Sequence, residues 1–219
     1  MLDPSRQYSP HLSGYGPSII KNPNDLNQWL SGQDPLATIA IYEYGGTNSP
    51  PKATASILQS VFAHFSNIEL QPGEDMPAQI CVILEEPHAL IPEWNQVTDQ
   101  EDKNAVNQTA RVVLQGRKYG MGIVVVTQRT ANVTKTILNQ CNTVLALRAF
   151  DQTGLDFLSN YVGSNYAQSI SSLPFRHAVL VGKASVNSRP IIVELNNISR
   201  EHWATGRTRE EAAPTSPSD

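Results

Sequence analysis

Two adjacent glutamates, Glu85 and Glu86, follow directly on the apolar run Val82-Ile83-Leu84. Placing neighbouring carboxylates at the tip of a buried strand is costly unless a cation or a proton offsets their charge. In open α/β sheets that tip is where ligands sit. Nucleotide hydrolysis would use such a pair: Glu85 would hold a hydrated Mg²⁺, and Glu86 would orient or deprotonate the attacking water. The alternative is that both acids simply leave the sheet for solvent.

Thr127-Gln128-Arg129 follows the apolar run Gly122-Ile123-Val124-Val125-Val126 in the same way. An amide at a strand tip can sense a phosphate or a water by hydrogen bonding without adding charge, which makes Gln128 a candidate sensor; an ordinary polar strand end is the plainer account. Between the two runs lies Gly116-Arg117-Lys118-Tyr119-Gly120. The planar fork of Arg117 suits phosphate oxygens and could serve as a finger reaching into a neighbouring subunit's site, or its charge could complement a helix C-terminus. Asn139, Gln140 and Asn142 cluster before the next apolar run, either lining an inter-subunit or DNA-facing edge or capping a helix end. His88 has no second His or Cys at ligand spacing and is read as a hydrogen-bonding residue. No GxxxxGK[ST] occurs in the 219 residues, and neither Lys21 nor Lys52 has a glycine-rich loop before it.

The elements that must carry these residues alternate between strand-like and helical patterns, as in a mostly parallel sheet with helices on both faces. Residues 37–44 form the first clear strand; a helix follows in which Ala53, Ile57, Leu58, Val61, Phe62 and Phe65 share a face. Residues 79–85 are apolar on both sides and belong in the middle of the sheet. A helix over 99–118 buries Val106, Ala110, Val113 and Leu114, and a third central strand spans 122–127. A short helix (133–141), a strand (143–148) and a helix capped by Asp151 (151–162) continue the alternation. Strands at 177–183 and 190–195 form a late edge hairpin. Three regions result: an irregular segment, 1–36, that begins at a truncated core strand and holds a short helix near 25–30; a core, 37–198; and a polar tail, 199–219, expected to be disordered.

Composition bounds the function. Hydrophobic residues make up 40% of the chain and charged residues 16%, which favours a folded domain. The net charge of -4 and pI near 5.7 exclude a whole-chain positive field for nucleic acid, so contact with DNA would need local loops or an assembled ring. Cys81 and Cys141 lie in apolar stretches and read as buried, reduced thiols of a cytoplasmic protein. No apolar run is long enough to cross a membrane.

Three stretches carry a resemblance: ICVILEEPHALIP, ARVVLQGRKYGMGIVVVTQRTANVTKTILNQCNTVLALRAFDQTGLDFL, and SISSLPFRHAVLVGKA. In this order they resemble the HerA-type branch of the FtsK/HerA superfamily of DNA-pumping ATPases, over about residues 79–184. More loosely, Leu2-Asp3-Pro4 with Tyr8 resembles the family's Asp-Pro strand just after the phosphate loop, with Gln7 where Glu is usual and Glu85 where many relatives have Asp. The resemblance implies an incomplete RecA-like core with ATP and Mg²⁺ as cofactors, bound between subunits of a homo-hexamer that translocates double-stranded DNA alongside a nuclease. Glu85, Glu86 and Gln128 would act from one subunit and Arg117 from the next, with Asp3, Arg129 and Lys118 as nucleotide contacts. Without the phosphate loop the 219 residues alone are expected to be inactive; a non-hydrolysing ring subunit, or a conjugation or secretion ATPase, are the other readings.

Overall fold

The computed structural model describes residues 1–32, 38–45, 49–67 and 76–197, so the polar tail expected at 199–219 lies outside it. Five strands make one parallel sheet: β1 (Leu2–Asp3), β2 (Ser18–Ile20), β3 (Ala40–Glu43), β4 (Ile80–Glu85) and β5 (Met121–Val126), in the order β2-β3-β1-β4-β5. The opening residues, irregular by sequence pattern, thus supply both the central strand and an edge. Two- and three-residue strands are too short to display a period. β4 is second from the edge, and β5, expected to be central, pairs among the described residues with β4 alone.

Three helices lie side by side: α2 (Pro23–Leu30), α3 (Pro50–Ser66) and α4 (Gln100–Gly116). Each start is set by local chemistry. Asn22 and Asp99 accept from backbone N–H groups of their first turns, and Ser49 precedes two prolines whose missing N–H groups cost nothing there. Leu84 and Val82 of β4 and Leu58 of α3 are buried between these helices and the sheet. In α4 the inward stripe is Ala105, Val106, Thr109, Ala110 and Val112, while Leu114 is exposed. The short α1 (Tyr8–His11) follows β1.

On β4 and β5 the second face is left uncovered by the described residues. In-register residues point the same way, so Cys81, Ile83, Gly122, Val124 and Val126 share that side; Cys81 is exposed, and Val124 and Val126 remain 43% and 42% exposed. Cys81 is therefore a free surface thiol rather than a buried one. Gly120 ends the turn after α4 with φ +73°, and a Cβ there would sit 2.3 Å from the Pro77 carbonyl oxygen, so only glycine fits.

After the short α5 (Lys135–Leu138), β6 (Thr143–Leu147), β7 (His177–Gly182) and β8 (Ile191–Glu194) form a separate antiparallel sheet. The late hairpin is real, but it joins β6 instead of edging the parallel sheet. Helices α6 (Gln152–Val162) and α7 (Ser164–Ile170) bury Ala146 and Val179 on its inner side. No helix among the described residues is long and apolar enough to cross a membrane.

Candidate functional site

Parallel pairing brings the C-terminal tips of β1, β3, β4 and β5 to one rim. Asp3 pairs with Glu43, Leu2 with Leu84, and Glu85 with Val126, so Glu85, Glu86 and the Thr127-Gln128-Arg129 turn stand on adjacent strands. Gln128 and Arg129 are exposed, and the Arg129 N–H donates to Thr127 Oγ1 at 2.9 Å, shaping the turn that carries the amide.

Glu85 Oε2 is buried without a hydrogen-bond partner. Burial pushes the Glu85 carboxyl above the usual carboxylate range; the Tyr8 phenol directed at it opposes that shift, and the charges of Glu86 and Asp3 reinforce it. Burial, followed by the Glu85 charge, likewise raises the Tyr8 phenol. A desolvated carboxylate oxygen with an open coordination position fits a cation or an ordered water. Among the described residues no three His, Cys, Asp or Glu side chains converge as a metal cage. A hard divalent ion at this rim would therefore depend on one or two carboxylates together with phosphate oxygens and waters, which is how Mg²⁺ is usually held.

Glu86 adopts φ +44°, a left-handed conformation uncommon for any residue with a side chain. Its N–H donates to the Val126 carbonyl at 3.1 Å and its carbonyl accepts from Ala89 at 3.1 Å, so the bend is held from both sides. Backbone strain of this kind concentrates where a side chain must be aimed. His88 Nδ1 stands 3.1 Å from Glu86 Oε2, outside hydrogen-bond geometry.

Asp3, expected to contact nucleotide, is fully buried and committed to its own turn. Its oxygens accept from Ser5 N–H (3.1 Å), Ser5 Oγ (2.7 Å) and Tyr8 N–H (2.9 Å), which fixes the loop presenting the Tyr8 phenol to Glu85. Arg117 and Lys118 are exposed at the opposite rim. The turn that holds them ends at Gly120, whose carbonyl accepts from Gln79 and Ile80 at the start of β4. A six-residue strand, roughly 16–20 Å, separates them from Glu85, so they cannot reach the acids of their own chain. Asn139 accepts from the Tyr161 hydroxyl at 2.8 Å and the Asn142 carbonyl from Lys183 at 2.9 Å; both support the second sheet.

Sequence reasoning missed Glu93 and Asn132. The Glu93 carboxylate accepts from Lys135 N–H (2.9 Å), its N–H donates to the Asn132 carbonyl (2.9 Å), and Gln96 bonds the Asn132 side chain (3.0 Å). Pro92 bridges to Val133 as well. The loop after the acids is stitched to the loop after Gln128, so neither moves alone. No spacing in the sequence signals these contacts, because both partners lie in irregular segments.

No family model matches the chain. It is 31% identical over 130 residues to the DNA double-strand break repair helicase HerA of Pyrococcus furiosus, covering 58% of this chain and 22% of that protein. A probable DNA double-strand break repair helicase HerA of Methanocaldococcus jannaschii is 30% identical over 120 residues, 53% of this chain and 22% of its own length. The chain thus spans under a quarter of the length of these curated relatives. Among solved structures, the genome packaging NTPase B204 of Sulfolobus turreted icosahedral virus 2 in complex with AMPPCP matches with a TM-score of 0.58 at 14% identity, over 88% of this chain and 77% of that one. The same protein in complex with ATP-gammaS gives 0.58 at 16%, over 90% and 80%. The fold is that of the packaging NTPase, and over about half its length the chain resembles HerA-type ATPases.

Proposed function

We propose that the chain forms the catalytic-acid and sensor portion of a HerA-type, ATP-hydrolysing DNA translocase or helicase. The observation that carries this reading is the meeting of Glu85, Glu86 and Gln128 on adjacent strand tips, with a buried carboxylate oxygen left unpaired. Magnesium, when bound with nucleotide, would supply charge neutralisation of the phosphates. Glu85 would help hold it, Glu86 would aim its carboxylate at the attacking water and accept the proton, and the Gln128 amide would read the terminal phosphate. Arg117 acts on the neighbouring subunit's nucleotide, with Lys118 beside it, in a homo-hexameric ring encircling double-stranded DNA; a nuclease is the expected companion. Arg129, next to the sensor, borders the same phosphates.

The absence of GxxxxGK[ST] from the 219 residues keeps a second reading in view, a ring subunit that does not hydrolyse nucleotide. The readings part on ATP turnover. The purified 219-residue chain should show none, and a ring completed with a phosphate loop should turn over ATP and lose that turnover when Arg117→Ala is introduced. Equal turnover by the Arg117→Ala ring would remove the finger role, and a completed ring that binds ATP without hydrolysing it would favour the second reading.

A further inference from the structure

The antiparallel sheet ends in two phenylalanines. Leu147–Ala178 is the last rung between β6 and β7, and three residues beyond it on each strand stand Phe150 and Phe175, at the same end of the sheet. They are 74% and 79% exposed, whereas Phe157 of α6 packs against the main core. Both are held by ordered backbone. The His177 N–H donates to the Pro174 carbonyl at 3.2 Å, closing a turn with Phe175 and Arg176 at its corner, and Arg176 takes φ +61° to make it. Asp151, next to Phe150, accepts from the Gly154 N–H at 2.7 Å and starts α6.

The groups around these rings are cationic. The Arg148 guanidinium lies 5.6 Å from the Phe150 ring centroid. Arg176 adjoins Phe175 and keeps its Nη2 3.2 Å from Glu194 Oε1, while the Asp151 carboxylate is taken up by the helix start. Phenyl rings flanked by guanidinium groups suit a flat π system, and nucleobases stack on such surfaces whatever their edge pattern. An aliphatic partner surface would instead leave the guanidinium groups desolvated and unpaired. Position narrows the base to that of a nucleotide. A Cβ on Gly154 would lie 3.7 Å from Thr130 Oγ1, so the start of α6 rests on the turn that follows Gln128 and Arg129. Phe150 is one helical turn upstream of that contact, which puts the rings beside the sensor turn.

We propose that Phe150 and Phe175, with Arg148, form a stacking platform for the purine base of a nucleotide whose terminal phosphate faces Gln128. The nucleotide's presence at this rim rests on the ATPase reading above; the stacking surface rests on the exposed rings and their guanidinium neighbour. NMR of the 219-residue chain with isotope-labelled phenylalanine rings follows all five phenylalanines as adenosine, which carries no phosphate, is added. Phe150 and Phe175 should show saturable ring-current shifts, and Phe62, Phe65 and Phe157 none. Arg148→Ala, at an exposed position, should weaken adenosine binding by at least roughly threefold. ATP should bind at least roughly threefold more tightly than adenosine, through its charged phosphates. Shifts spread evenly over all five rings, or absent from Phe150 and Phe175, overturn the proposal. So does tighter binding of a short single-stranded oligodeoxyadenylate than of ATP, which would make the surface a nucleic-acid contact, and so do ring shifts that follow protein concentration instead of adenosine, which would make it a contact between copies. Adenosine binding with no gain from the triphosphate keeps the platform and sinks the phosphate reading. Inorganic tripolyphosphate that perturbs Gln128 while adenosine leaves both rings unmoved does the reverse.

Discussion

Glu85 is held at a cost: its carboxylate is desolvated, crowded by Glu86 and Asp3, and one oxygen is unpaired. With its pKa raised on folding, the group favours the fold when protonated, below the unfolded carboxyl's titration, and that contribution is lost as pH rises through the raised folded pKa. Glu85→Gln should therefore raise the melting temperature of the chain at pH 7 and much less at pH 4, which thermal denaturation at the two pH values reads directly. A lower melting temperature at pH 7 would mean that Glu85 is a structural partner, not a vacant ligand. Glu86→Gly offers a companion: relief of the left-handed strain should stabilise the chain by about 1 kcal/mol while removing the carboxylate proposed to direct the attacking water. Of the site, the acid pair, Gln128 and their types were legible in the sequence because apolar-run-then-polar patterns survive in one dimension. That Asp3 serves its own turn, and that Glu93 and Asn132 tie two loops together, depends on contacts between irregular segments that no periodicity encodes.

At the scale of elements, the acids are aimed by β4 packed under α3 and α4, and by the turn through Gly120 that sets β5 in register with it. Leu84→Ala, at a fully buried position one residue before the acids, should cost about 2–5 kcal/mol. Gly120→Ala should cost at least about 1–3 kcal/mol, since it adds a Pro77 collision to an unfavourable φ. Urea denaturation of both variants checks these magnitudes; a neutral Gly120→Ala would show that the turn relaxes and that the β4–β5 register is not pinned there. The long helices and six-residue strands were readable because their periods repeat enough times to stand out. β1 and β2 were not, and the bare face ran against the expectation from β4's continuous apolar run, since a sequence states that a face wants cover without saying which polypeptide supplies it.

For the molecule as a whole, the N-terminal ammonium enters the sheet at β1, donating to the Ala40 carbonyl at 2.7 Å, and burial pushes its pKa from 8.0 down to about 6. Folding therefore expels a proton between those values: the penalty is absent above pH 8, grows as pH falls, and is complete below about 6. That gap corresponds to about 2–3 kcal/mol. The 219-residue chain should gain stability from pH 6 to pH 8, and N-terminal acetylation should remove that part of the slope; an unchanged slope would place the amine in water. The central claim concerns Glu86 as the water-directing base in a protein completed by a phosphate loop. Its most direct test is nucleotide binding and turnover measured side by side in the completed protein and its Glu86→Gln variant. The variant should bind ATP as tightly as the parent and hydrolyse it at least roughly a hundredfold more slowly; hydrolysis at the parent's rate would contradict that role for Glu86.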